Sequence, residues 1–128
     1  MEHWFRQNHV LLHPNGHDTF NVMNHSKFES IPEGESAGKS FKRLHRWRYS
    51  PTAAYGNNEV HLHPYLPRRI SVAEALAIQS LPESFSLPSD LPLSAKFKMV
   101  GNGVPYLLAL GIATELREWL DAFLRRIE

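Results

Sequence analysis

The segment GNGVP, residues 101–105, combines residue types that can hold an anion against the main chain. Glycines let a ligand approach the backbone closely, and Pro105 suits a first helical turn because the N–H it lacks would have no partner there. The free N–H groups of that turn could then bind a carboxylate or a phosphate. Spacing equally allows a structural role, in which a left-handed Gly101 ends one helix and Gly103 completes a tight turn between two packed helices.

A second group of candidate residues lies in a basic, aromatic region over about residues 37–69. Cations interleaved with aromatic rings can contact nucleic acid, and most such contacts go to phosphates, which position a protein without reading sequence. A charge run can also be simply a solvated face, and a net charge of +1 gives no global attraction to nucleic acid. The candidate DNA-binding residues are Lys39, Lys42, Arg43, Arg46 and Arg48, among the aromatic residues Phe41, Trp47 and Tyr49.

Metal and thiol chemistry have little support in the sequence. His61 and His63 would share one face of a strand, and with His13 and His17 they could form a metal site. No acidic or thiol partner stands at ligand spacing, so we predict no metal site. The chain contains no cysteine, which excludes disulfides, thiolate ligands and cysteine nucleophiles from this polypeptide.

The elements that must position these residues are clearest after residue 70. Ser71 followed by Glu74 is a capping box, which predicts a helix through Gln79 that Pro82 stops. We expect Ser94 to cap a short second helix over residues 95–100. A third helix should begin near Pro105 and continue to about residue 127.

This last helix has an unusual distribution of apolar residues. Residues 106–113 are apolar on every side, so we expect both sides to be covered by protein. Further along, apolar residues recur at steps of three and four, namely Leu116, Trp119, Leu120, Phe123 and Ile127. Because one short chain can cover only one side of such a helix, we expect the isolated chain to form a homodimer through it.

These patterns predict an α+β fold, with short strands in the N-terminal half and two or three helices in the C-terminal half. Residues 10–12 and 20–22 are candidate strands between turn signals. We expect one compact unit built from residues 1–69 and residues 70–128. No uninterrupted apolar run reaches the roughly 20 residues of a membrane span. The N-terminus lacks a signal-peptide pattern, so we expect a cytoplasmic protein.

Two stretches of the helical region resemble a known family. RRISVAEALAIQSLPESF at residues 68–85, followed by KFKMVGNGVPYLLALGIA at residues 96–113, resembles the ninth and tenth motifs of DNA (cytosine-5) methyltransferases. Ala73 departs from the pattern, which usually has arginine there. Upstream, Arg43-Leu44, residues 50–52 and His63-Pro64 resemble the end of that family's target-recognition region.

The resemblance implies roles for several residues. Asn102, Gly103 and Val104 would line the methionine end of S-adenosylmethionine, and the basic region would face double-stranded DNA. In that family the last helix packs onto the catalytic domain beside the cofactor motif. A structural role is implied for the ninth-motif residues Arg68, Ser71, Glu74 and Gln79.

The resemblance also shows what this sequence lacks. Members of the family carry a glycine-rich cofactor motif and a Pro-Cys dipeptide whose thiolate attacks cytosine, and neither occurs here. We therefore predict the C-terminal subunit or fragment of such an enzyme, inactive alone and requiring an N-terminal catalytic half as partner. The alternative is a non-enzymatic remnant acting as a small DNA- or protein-binding module.

Overall fold

The computed structural model describes residues 2–7, 10–21, 26–38, 40–52, 55 and 60–127. Within these residues the chain forms five helices joined by irregular segments. They are α1 (Glu2–Gln7), α2 (Ser26–Glu29), α3 (Val72–Ile78), α4 (Leu93–Asn102) and α5 (Tyr106–Ile127).

The predicted α+β class is wrong, because the described residues contain no β-strand. Strand-like pairing is limited to two isolated bridges, parallel between Arg43 and Leu62 and antiparallel between Leu62 and Arg69. The candidate strand at residues 10–12 lies in a series of turns, with Val10 buried and the next two leucines exposed. Apolar content without alternation of buried and exposed positions therefore gave a false strand signal. Residue 22, the end of the other candidate, lies outside the described residues.

Helix α3 lies at the centre of the core. Its first six residues, 72–77, are all buried, and both α1 and α4 pack against it. The largest buried side chains around it include Phe97 from α4 and Leu44 and Ile70 from the segments before α3. The predicted capping box is confirmed, since the Ser71 hydroxyl accepts from the Glu74 N–H and the Glu74 carboxylate accepts from the Ser71 N–H.

Helix α4 begins and ends differently from the prediction. It starts directly after Pro92 without a side-chain cap, so Ser94 is not its N-cap. Gly101 is helical rather than left-handed, and Gly103 ends the helix in an extended conformation. A Cβ on Gly101 would lie 3.1 Å from the main-chain N of Tyr55 and 3.2 Å from its Cβ. Gly101 therefore allows close packing with Tyr55 and does not form a turn.

Helix α5 extends to Ile127 as predicted, but nothing in the described part of the chain covers it. None of its 22 residues is buried, and it packs against no other described helix. Its large apolar side chains are 43–65% exposed. By length and composition alone, Leu93–Ile127 is apolar enough to cross a membrane, although the turn at residues 103–105 interrupts it. Amphipathic helices that pack against another protein surface can have the same length and apolar composition as a membrane span.

The two helical glycines allow a matched test of this packing. We expect Gly101→Ala to lower the free energy of unfolding by roughly 1–3 kcal/mol, because the added methyl group meets the Tyr55 main chain. Gly111→Ala in α5 is the control, since a Cβ there has no atom within 4 Å, and alanine favours the helix by about 1 kcal/mol. Urea denaturation of both variants measures the difference. Equal stability of both variants would contradict the close contact.

Candidate functional site

The start of α5 is bonded to the end of α3. The Tyr106 N–H donates to the Gln79 carbonyl at 2.9 Å, and the Leu107 N–H donates to the Ser80 hydroxyl at 3.0 Å. The Gln79 side chain donates to the Val100 carbonyl at 3.1 Å, which ties α4 to the same point. Two of the N–H groups predicted to hold an anion are therefore paired within the chain.

A groove of about 610 Å³ opens beside this junction. Residues 49–52 of the basic region form one wall, and the turn between α4 and α5 forms the other, so the structure brings the two candidate regions together. Of the predicted cofactor residues, Gly103 lines the groove, and Asn102 and Val104 are exposed in the same turn. Gln79 also lines the groove, and its buried Oε1 has no hydrogen-bond donor among the described residues.

Arg43 is placed inside the protein, which contradicts its predicted exposure to DNA. Its guanidinium donates to the carbonyls of Ile31 at 2.7 Å, His63 at 2.6 Å and Leu66 at 3.0 Å, and also to that of Phe28. A buried guanidinium needs such acceptors, because unpaired donors are costly away from water. Arg43 therefore holds the surrounding loops together.

The other basic candidates differ in their availability. Arg46 pairs with Glu33 at 3.1 Å and stacks over the Tyr65 ring, with 5.4 Å to the centroid. Burial alone would raise the pKa of Glu33, but the hydrogen bonds from Arg46 lower it overall. Arg48 is exposed, Lys42 is half-buried, and Lys39 lies outside the described residues.

Two aromatic residues of the basic region are more exposed than sequence reasoning indicated. Trp47 and Tyr49 are 75% and 97% exposed, on either side of Arg48. Exposed aromatic rings beside cations can contact nucleic-acid bases or sugars. The sequence marked these rings only as interleaved with the charges, and nothing in their spacing distinguished exposed rings from buried ones.

The ninth-motif residues form a buried charge network at the start of α3. Arg68 binds the Glu74 carboxylate through two bonds, of 2.8 Å to Oε2 and 2.6 Å to Oε1. His63 Nε2 lies 3.6 Å from Glu74 Oε1, and His63 Nδ1 accepts from the Leu66 N–H at 3.2 Å. Glu74 is only 2% exposed. Its carboxylate is therefore held by the Arg68 side chain and the Ser71 main-chain N–H, with the His63 ring beside it, instead of by water.

Sequence reasoning missed a second polar network, around Asn15. Its side chain is buried and bonds both the N–H and the carbonyl of Leu87. Asn15 also donates to Asp18 Oδ2, which receives the buried Lys96 ammonium at 2.8 Å. Burial opposes charge on Asp18, but the bonds from Lys96 and Asn15 lower its pKa overall. The Pro14-Asn15-Gly16 turn was the only signal, and it indicated a turn without indicating burial.

The histidines that the structure describes do not converge on a metal site. Within the described ranges no three His, Cys, Asp or Glu residues are placed to hold a metal ion. His13 accepts from the Asn15 N–H and bonds the Phe85 carbonyl, His17 is exposed, and His61 is 1% exposed beside the Tyr55 ring. Burial, with a smaller effect of Lys42, lowers the pKa of His61 to about 4, so at neutral pH this imidazole is uncharged.

The chain belongs to the C-5 cytosine-specific DNA methylases, whose family model matches residues 3–118. It is 60% identical over 122 residues to the type II methyltransferase M.NmeDI of Neisseria meningitidis serogroup C. The aligned region covers 94% of this chain and 29% of that protein. It is 31% identical over 100 residues to the type II methylase M.HgiDII of Herpetosiphon aurantiacus, covering 73% of this chain and 28% of that one.

A further relative is much shorter. The type II methyltransferase M.AquIB of a Picosynechococcus species is 29% identical over 93 residues, which cover 65% of this chain and 66% of that protein. The present chain thus spans less than a third of the first two relatives and about two thirds of the third. No solved structure matches it significantly.

The neutral buried imidazole predicts a pH dependence of stability. An unfolded histidine titrates near pH 6.5, whereas His61 in the folded chain titrates at about 4. The contribution of His61 to the free energy of unfolding is therefore fully present above pH 6.5. It falls as the pH drops from 6.5 to 4, because the unfolded state gains the proton first. Below pH 4 it no longer changes. The loss is on the order of 3 kcal/mol.

His61→Phe keeps a ring beside Tyr55 and removes the titration. Urea denaturation at pH 7.5 and pH 4.5 should show a smaller loss of stability in this variant than in the parent chain, since all other histidines are common to both. Equal losses in the two proteins would mean that His61 has the same pKa in the folded and unfolded states, so that burial does not lower it.

Proposed function

We propose that this chain is the C-terminal subunit or fragment of a DNA (cytosine-5) methyltransferase and supplies DNA-facing and cofactor-lining parts to an N-terminal catalytic half. The observation that carries the proposal is α5, a helix of 22 residues with no buried residue in a chain of this family. Leaving large apolar side chains in water costs about 1.5–3 kcal/mol for each one fully exposed. The rest of such an enzyme would cover this helix.

The lengths of the relatives agree with this proposal. M.NmeDI is more than three times as long as the matched region, so a complete enzyme of that kind contains much more protein than this chain. M.AquIB has a length comparable to that of this chain, because 93 aligned residues cover 66% of it.

S-adenosylmethionine would provide the methyl group, and this chain would form one wall of its site. Asn102 at the end of α4 and Gly103 and Val104 in the turn that follows are accessible next to an apolar groove, which fits contact with part of a ligand. The N–H groups of Tyr106 and Leu107 are already paired and would not bind its carboxylate. The fit is therefore partial, and we expect weak or no cofactor binding by the isolated chain.

DNA would contact the exposed part of the basic region. Lys42, Arg46 and Arg48 provide the cations, and Trp47 and Tyr49 provide exposed rings between and beside them. Arg43 is excluded from this group by its burial and its four carbonyl partners. Contacts of this kind would be mainly to phosphates and would position the duplex.

Variants of the basic region separate DNA contact from folding. Lys42→Ala/Arg46→Ala/Arg48→Ala should weaken DNA binding similarly across sequences and reduce the slope of log affinity against log salt by up to about 3 units. The matched control is Arg43→Ala, which should lower the unfolding midpoint because four carbonyls lose their donor, two of them in buried hydrogen bonds. Binding titrations at several salt concentrations measure the first effect, and unchanged binding by the triple variant would identify the segment as a solvated face.

Catalysis should require a second polypeptide. We expect no methyl transfer to DNA by the purified chain, because it has no cysteine to attack the base. Adding the part of M.NmeDI that this chain does not match, expressed separately, should give transfer of labelled methyl groups. Each polypeptide alone is the control. Activity of this chain alone would refute the proposal, and no activity of the pair, with DNA binding retained, would favour the alternative of a non-enzymatic binding module.

A further inference from the structure

A continuous apolar stripe follows α5 beyond its first two turns. Its residues recur at steps of three and four, so they share one face of the helix. The rings of Trp119 and Phe123 stack within it, with centroids 5.6 Å apart and planes 13° apart. All of these side chains are exposed. The stripe consists of Ile112, Leu116, Trp119, Leu120, Phe123 and Ile127.

This spacing is suited to pairing with another helix. Apolar residues at alternating steps of three and four form the seam of coiled coils, in which each side chain inserts between residues of the facing helix. The stripe extends past residue 118, where the match to the family model ends. Apart from Ile112, which lies at the boundary, the apolar residues expected to meet a catalytic half, within 106–113, lie at the other end of α5.

We propose that the stripe pairs with the same stripe of a second copy of this chain, antiparallel, about a two-fold axis next to Leu120. The charges on one border of the stripe select this arrangement. Glu115 and Arg126 are both exposed and lie about 20° apart around the helix, since each residue advances it by about 100°. They therefore border the same edge of the stripe.

In an antiparallel two-fold pair, the same border of each helix faces its symmetry mate. Residues whose positions are equidistant from the axis then lie opposite each other. An axis midway between residues 115 and 126 places Glu115 of one copy opposite Arg126 of the second copy. By symmetry, Arg126 of the first copy lies opposite Glu115 of the second copy on the other side of the axis. A parallel two-fold pair would instead bring opposite borders of the two helices together, so Glu115 would not meet Arg126 of the second copy. Charge complementarity thus favours a second copy in the antiparallel sense.

The absence of cysteine allows this arrangement to be measured directly. Leu120→Cys creates a chain with one thiol, which lies next to the axis and should form a disulfide-linked dimer on mild oxidation. Ile127→Cys is the matched control, because the two thiols would then be roughly 20 Å apart along the helices. Cross-linking of the first variant alone supports the proposal. Cross-linking of both variants would indicate a parallel pair, and cross-linking of neither would indicate that no pair forms. Either result would overturn the proposal.

A charge exchange tests the border contact. Glu115→Arg and Arg126→Glu should each raise the dimer dissociation constant severalfold in sedimentation equilibrium, and the double variant should restore it. Weak dimers in all three variants would contradict the assigned register. The parent chain must also remain dimeric in the presence of neutral lipid vesicles, since transfer of a monomer to vesicles would identify the stripe as a membrane surface and overturn the pairing.

This inference goes beyond the proposed function and can fail separately from it. Restored methyl transfer by a chain that is monomeric on its own would leave the subunit proposal standing and overturn self-pairing. Antiparallel cross-linking without any restored transfer would support self-pairing and count against the subunit proposal.

Discussion

The buried carboxylate of Glu74 is the interaction on which the rest of the structure depends. It caps the first turn of α3 through the Ser71 N–H and receives two bonds from Arg68, and His63 packs beside it. A charge removed from water is tolerated only when its acceptor sites are filled, so this network fixes the direction of α3 as well as its start. Because α3 is buried on all sides, the segments around it are placed relative to this point.

The opposite end of α3 determines where α5 leaves the core. Gln79 and Ser80 bind the first N–H groups of α5, and the Gln79 side chain holds the end of α4. These bonds fix only the first turn of α5, and no other described helix packs against it. The molecule thus combines a closed core around α3 with a helix that is held at one end and has exposed apolar side chains along its length.

Sequence reasoning was strongest where a local pattern determines a local structure. The capping box and the extent of α5 followed from residue types a few positions apart. It failed where long-range packing decides the outcome. Gly101 is a contact surface for Tyr55 rather than a helix terminator, and Arg43 is an internal donor to four carbonyls rather than a surface cation. Both depend on segments distant in the sequence. The strands were predicted from short apolar runs. In the structure such a run instead lies in turns and places only a single side chain in the core.

The central claim is that the first two turns of α5, residues 106–113, are covered by the catalytic half of a methyltransferase. Hydrogen–deuterium exchange of its amides tests this claim most directly, measured on the dilute chain with and without that half. We predict fast exchange over residues 106–113 in the chain alone, because a helix without tertiary contacts opens readily. Addition of the catalytic half should slow exchange there by at least tenfold. Equal exchange in the two samples, with complex formation verified, would contradict the claim.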